Sequence, residues 1–406
     1  MIAPAPPRPQ SPPPETVRLS PWVWLRRNLF NSWLNALITL LLVGLLWQLG
    51  SSFLVWAFTK AQWVVISDNW TLFFVGRFPP SQRWRLWLML GLVVGLAGLA
   101  WGIVTRGQTK IWRRGSLTLL AGVVLVMILL PTDLTNRLSL LVMLGVCLAA
   151  RIGGRRWGQR RPSLGTWLPA FWTGAFFLGL WLLMGGFGLE SISSGDWGGF
   201  LLTVLMSLFS ILLCFPLGLL LALGRQSNLV LLRLVSVAYI EFMRGAPLIT
   251  ILFLGQVMIP LFLPPGMRPD RILRAILGLT LFTAAYIAEN VRGGLQAIPK
   301  GQFEAAASVG LNPVLTYSFI VLPQALKIAV PTIIGQFISL FQDTTLLSIV
   351  GLIELLGISR AVLTNPAYIG RYAEVYLFIG VIYWTCCTAM SLGSRYLERS
   401  LNTEHR

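Results

Sequence analysis

The chain is 406 residues long, 55% hydrophobic and only 11% charged, where soluble domains run near a quarter charged, so it is not a soluble globular protein. Its 32 Lys and Arg against 14 Asp and Glu give a net charge of +18. In so apolar a chain that excess points to basic loops at a membrane surface before it points to nucleic acid. The one histidine, His405, and four cysteines set in apolar runs (Cys147, Cys214, Cys386, Cys387) leave no metal-ligand spacing, no histidine-based triad and no disulfide framework. A phosphate-cradling P-loop needs Lys followed by Ser or Thr. Lys60, Lys110, Lys300 and Lys327 are followed by Ala, Ile or Gly, so no catalytic residue, metal or cofactor is expected on this chain, and any ATP-driven motor belongs to another.

Residues 1–30 begin with eight prolines in 21 residues and no hydrophobic signal region, which reads as a disordered tail and not as a signal peptide. A helix that crosses about 30 Å of hydrocarbon needs about 20 apolar residues. Runs of that kind lie near 35–58, 86–104, 116–131, 138–150 and 167–189, then near 200–223, 234–262, 275–291, 328–350 and 373–394. The expectation is an all-α polytopic membrane protein with about ten transmembrane helices, of which 138–150 is the shortest candidate. With the N-terminus inside, cytoplasmic segments collect about twice the Lys and Arg of the opposite side, which puts both termini in the cytoplasm. Arg268, Arg271 and Arg274 run against that bias in the second half. The first five spans hold no mid-membrane ionisable group and carry Trp47, Trp56, Trp87, Trp101, Trp172 and Trp181. They read as scaffold with aromatic interface anchors.

A long, moderately polar connection follows Val291. Pro299 and Gly301 introduce a run of helix formers from Gln302 to Val309, and Gly310 then offers a stop before Asn312-Pro313. A second helical run, Val314 to Val321, is expected to end at Pro323. Two readings compete for the short helix. It either rests on the membrane with Phe303, Val309 and Leu311 among the headgroups, or it is a rigid knob that docks into another protein, with Ala305, Ala306 and Ala307 permitting close approach and Glu304 offering a fixed charge.

The order Glu304-Ala305-Ala306, three residues, Gly310, nine residues, Ile320, one residue, Leu322-Pro323 resembles the EAA loop of ABC importer membrane subunits. The runs 239–248 and 286–295 resemble signatures of the polar amino-acid branch of that family. The run 341–346 is similar to its usual KDTSL stretch, with Gln342 for the commoner Lys and Thr345 for the commoner Ser. The resemblance implies a five-helix type I ABC importer permease core over 196–400, with the coupling loop at about 293–323. The core would follow an N-terminal extension of about five spans over 31–195, as in the long M-type permeases of general L-amino-acid importers.

The resemblance also implies that Glu304, Ala305, Ala306 and Gly310, flanked by Pro323, seat in a separate ATPase subunit. Two ATPase copies, binding ATP and Mg, would serve the complex. A second homologous permease forming a heterodimer, a periplasmic amino-acid-binding protein and the lipid of a bacterial inner membrane complete the expected partners, without nucleic acid.

Ionisable groups inside spans are rare and costly. Glu241 and Glu289 each precede an arginine by three residues, Arg244 and Arg292, a spacing that allows ion pairs on one helix face. These read as structural pairs or as substrate contacts. Asp343 has no basic residue within four positions and lies among Gln342, Thr344, Thr345 and Ser348. It could meet a substrate ammonium with help from Gln342 and Thr344, or cap a helix break. Gln256, Thr203 and Ser207 are weaker lining candidates. The competing functional class is an ion-coupled secondary amino-acid transporter using Asp343 or Glu289; a scaffold without transport is a third.

Overall fold

A computed structural model of the full chain describes residues 20–105, 133–161 and 163–401, together with Val124 and Met127. The expected span at 116–131 therefore lies outside the described residues but for those two positions, as do the first 19 residues of the expected tail. The chain forms two compact units, Met1–Gln62 and Trp63–Arg406.

In the first unit, helix α1 (Pro21–Asn28) begins on a proline whose fixed φ suits a first helical turn. The expected disordered tail of 1–30 is thus helical near its end, because Pro21 starts a helix where the earlier prolines would break one. Helix α2 (Trp33–Val55) is capped by the Ser32 hydroxyl, which accepts from the Asn35 amide at 3.2 Å, and continues through a π turn at Trp56–Lys60. It is apolar on all sides and buries no residue in the protein, the pattern of a helix solvated by lipid.

The second unit holds α3 (Val64–Asp68), α4 (Trp70–Val75), α5 (Arg83–Val104), α6 (Leu134–Arg160), α7 (Leu164–Met184), α8 (Gly199–Arg225) and α9 (Val230–Gly245). These are followed by α10 (Leu248–Phe262), α11 (Arg271–Gln296), α12 (Lys300–Ser308), α13 (Pro313–Ser348), α14 (Leu355–Leu363) and α15 (Tyr372–Leu401). Among the described residues eight helices are long and apolar enough to cross a membrane, or nine if α9 and α10, bent by 104°, make one broken span. That matches the expected spans one for one, save 116–131.

Three boundaries differ from expectation for local reasons. The shortest candidate, 138–150, becomes the 27-residue α6. Arg151 prolongs it by laying its guanidinium 3.8 Å from the centre of the Trp101 ring, so that its stem is buried against α5. The expected continuous span 234–262 breaks at Ala246-Pro247, where the residue before proline is forced into an extended conformation. The helix expected to stop at Pro323 runs on into α13. A wider π turn at Thr316–Val321 comes just before the proline and absorbs the hydrogen bond that it cannot donate.

Helix α11 is the centre of the unit and packs between α8 and α13, with two-thirds of its apolar window (67%) inside the protein. The helices between residues 63 and 196 are built into the same unit. Phe73, Val65 and Ile66 share one buried cluster with Leu355, Ile358 and Val375, and Phe78 and Leu183 share another with Leu202 and Leu279. The division into compact units falls at 62/63. Helices α5 and α6 approach so closely that a Cβ on Gly154 would come 2.4 Å from the Leu99 carbonyl oxygen, the small-residue contact that lets membrane helices pack by dispersion alone. Gly154→Val is expected to cost about 1–3 kcal/mol through overpacking, read as a lower melting temperature of the detergent-purified protein.

Candidate functional site

The short helix α12 is a braced projection. Pro299 precedes it in an extended conformation, and at its other end Gly310 takes φ +78. The Gly310 amide donates to Ala307 O at 3.0 Å and the Leu311 amide to Ala306 O at 3.1 Å, the paired reversed bonds of a Schellman stop, which need a residue at ease with positive φ. Asn312 then caps α13 by accepting from the Leu315 amide at 2.9 Å. Side chains tie the helix back. The Phe303 ring meets Tyr317 edge-on at 5.9 Å between centroids, and Gln324 donates to Gln302 Oε1 at 3.3 Å and to Ile320 O at 2.8 Å.

The outward surface consists of Glu304, Ala305, Ala307, Ser308 and Val309. Ala306 is not part of it: at 1% exposure it faces the protein's own interior. Helical spacing turns one of three consecutive alanines inward, and here it is the middle one. Pro323 is exposed at the start of the α-helical stretch after the π turn.

Behind α12 lies a charged cluster drawn from three helices. Arg225, the last residue of α8, reaches Glu289 of α11 at 2.8 Å and Glu241 of α9 at 3.0 Å through one Nη1. Arg292 binds Glu289 from one turn away at 2.7 Å, with its Nε in reach of both carboxylate oxygens, and Arg244 adds a third guanidinium at 3.5 Å. The expected Glu289/Arg292 pair forms. The Glu241/Arg244 pair does not, because Glu241 turns to Arg225 while Arg244 turns to Glu289 and lies 5.7 Å from the Tyr286 ring centre. Arg225, which the sequence offers only as one more charge after an apolar run, is the bridging residue. Its position as the first cation after a long span is the signal that could have marked it.

The remaining candidates lie at the opposite end of the bundle. Asp343 closes the α-helical part of α13, 21 residues and thus about 31 Å along the axis from Leu322. It is half-buried and, among the described residues, has no hydrogen-bond or ion partner. Gln342 is exposed, 3.6 Å from Cys387 Sγ. The Thr344 hydroxyl is buried and spent on Phe341 O at 2.7 Å. Gln256 sits in a π turn of α10, where its side-chain amide donates to Arg271 O and its backbone carbonyl accepts from the Arg274 guanidinium, so it pins α10 to the start of α11. Thr203 donates to Gly199 O and Ser207 to Val204 O. The residues expected to line one path thus occupy the two ends of the bundle. At the same end as Asp343, Glu354, which the sequence reading passed over, is fully buried, and burial pushes its carboxyl up to about 7 against the lowering pull of the Leu356 and Gly357 amides.

Residues 214–403 match the family described as the binding-protein-dependent transport system inner membrane component. The chain is 37% identical to the inner membrane amino-acid ABC transporter permease protein YhdY of Escherichia coli over 94% of this chain and 93% of that one. It is 36% identical to the glutamate/glutamine/aspartate/asparagine transport system permease protein BztC of Rhodobacter capsulatus over 94% of each. A shorter relative, the probable glutamine ABC transporter permease protein GlnP of Bacillus subtilis, is 35% identical over 50% of this chain and 91% of its own length. The chain therefore belongs to the amino-acid ABC transporter permeases, in the form with an N-terminal extension. It is a multi-pass inner-membrane transport subunit of an importer, and ATP hydrolysis belongs to separate partner chains.

Removing one partner of a buried ion pair costs about 3–5 kcal/mol. The arginines around Glu289 are 24–38% exposed, so water recovers part of that. Glu289→Gln is expected to destabilise by about 2 kcal/mol, seen as a lower melting temperature. Glu241→Gln, on a carboxylate that is 57% exposed, is expected to change stability by less than about 1 kcal/mol.

Proposed function

We propose that this chain is one transmembrane half of an importer for polar L-amino acids and that α12 is its coupling helix to an ATPase subunit. The observation that carries the reading is the braced, outward-facing α12 with Glu304 on its surface and its end set by the Gly310 turn. A projection held by Phe303–Tyr317 and Gln302–Gln324 contacts transmits a displacement; a loose loop would absorb it. In this reading two copies of the ATPase, with their ATP and Mg, close together and draw α12 inward. The pull passes directly to α11 through Ile298-Pro299 and to α13 through Gly310–Asn312. The charged cluster carries it on to α8 and α9, because Arg225 and Arg244 are anchored on Glu289.

The same reading puts α12 and both termini in the cytoplasm, in line with the excess of basic residues there. A second homologous permease and a periplasmic amino-acid-binding protein complete the importer, and the helices of 31–195 serve as scaffold to the 196–400 core. Asp343, with Gln342 beside it, is assigned to the substrate ammonium, supported by its lack of a hydrogen-bond or ion partner among the described residues. Thr344, with its hydroxyl spent on the backbone, serves to shape the turn. The name of the relative BztC, with its glutamate, glutamine, aspartate and asparagine, supports a polar substrate. The ion-coupled alternative loses ground at Glu289, because a carboxylate committed to three guanidinium groups is a poor proton carrier.

In mild detergent the ATPase subunit is expected to co-purify with the wild-type chain and to be lost on Glu304→Arg. An ATPase that stays bound to Glu304→Arg, or that is absent from the intact protein in several detergents, overturns the coupling role. Uptake is expected to stop when ATP is depleted and to continue when the proton gradient alone is collapsed; the reverse pattern would restore the ion-coupled reading.

A further inference from the structure

At the end of the bundle opposite α12, the fully buried carboxylate of Glu354 joins elements that are remote in sequence. Its Oε1 and Oε2 accept from the Gly357 and Leu356 amides at 2.9 and 2.8 Å, which caps α14. The Tyr383 hydroxyl of α15 donates to Oε2 at 3.3 Å. On either side of Glu354 the main chain is stitched to the first turn of α8: the Gly199 amide donates to Ile353 O at 3.0 Å, and the Leu355 amide to the Thr203 hydroxyl at 3.2 Å. The Tyr383 ring in turn lies 5.3 Å from Phe341, two residues before Asp343. An apolar residue would pack this site more cheaply than a buried acid. The acid supplies what a hydrocarbon cannot, three simultaneous acceptor contacts to two elements at a fixed distance.

We propose that Glu354 is a positioning residue for transport: its carboxylate latches α14 to α15, beside the stitched start of α8, and so fixes the Asp343–Ser348 turn where substrate is handled. The latch is the ionised form, since a carboxylate accepts on both oxygens with charge-assisted strength, whereas a protonated carboxyl accepts weakly and keeps Tyr383 only by reversing that bond, so the contacts slacken. The groups that face it are Tyr383 from α15, the titratable one, and Thr203 from α8; among the described residues no charged side chain contributes to its electrostatics. Its carboxyl sits at about 7, so the latch releases as pH falls through that value.

The inference rests on the importer reading for its readout and for the assignment of Asp343 to substrate, and its test uses the assembled transporter in proteoliposomes. Glu354→Gln, isosteric and uncharged, is expected to lower maximal uptake about tenfold with KM within about twofold, at wild-type membrane abundance. It is also expected to erase the fall in wild-type uptake below pH 7. Tyr383→Phe, which removes the α15 hydroxyl with its contacts to Glu354, Thr203 and Thr344 and leaves the Glu354 carboxylate and its amide contacts, is expected to lower uptake about threefold and to keep the pH dependence. Uptake by Glu354→Gln within twofold of wild type with an unchanged pH profile overturns the proposal, as does a loss that tracks membrane abundance alone. Should Glu354→Gln not accumulate, Tyr383→Phe decides, and wild-type uptake per molecule in that variant overturns it. Normal uptake in Glu354→Gln beside dead Glu304→Arg rejects the latch and leaves the coupling role standing; the opposite pair of results does the reverse.

Discussion

The carboxylate of Glu289 holds the working end of this protein together. Arginines from α8, α9 and α11 make three contacts to it, and a fourth contact ties Arg225 to Glu241. In the apolar environment of a helix bundle the hydrophobic effect does little to hold helix ends together. Charge-assisted hydrogen bonds therefore carry that task. Their partial exposure, with arginines 24–38% open, suits a joint at the membrane boundary, where the guanidinium groups keep some water and the desolvation cost stays moderate.

This joint ties α8 and α9 to α11, the helix that leads into α12. Helix α12 follows α11 after three residues, so Glu289 and Arg292 lie within the last two turns of the helix that leads into it. The stop at Gly310 and the Phe303–Tyr317 contact make the two sides of α12 a single stiff piece with the first turns of α13. At the opposite end the same economy is seen with different chemistry. Glu354 is buried completely and is satisfied by backbone amides and a tyrosine hydroxyl, not by arginine. One carboxylate is stabilised by charge near water, the other by dipoles away from it.

The extension is continuous with the core, which bears on what it does. Residues Val65, Ile66 and Phe73 share a buried cluster with α14 and α15, and Tyr368 donates to Asp68 at 2.9 Å. Residues 63–78 thus cover the end of the bundle that holds Glu354. A scaffold role for α5, α6 and α7 fits their close glycine-mediated packing, in which Gly98, Gly102 and Gly154 let two backbones touch.

Composition and periodicity alone determined the membrane class and the span positions. Local spacing alone determined the α12 knob with its stop at Gly310 and the Glu289/Arg292 pair, because each of these depends on residues within one or two helical turns. Only the tertiary structure decided the rest. It sent Glu241 to Arg225 and Arg244 to Glu289, turned Ala306 inward, and separated Gln256 and Asp343 from Glu289 by the length of the bundle. It also made Glu354, an unremarked acid before an apolar helix, a fully buried carboxylate held by two backbone amides and a tyrosine hydroxyl. Those outcomes rest on which helices lie side by side and how far each is rotated, and no pattern within a single helix encodes the face its neighbour presents.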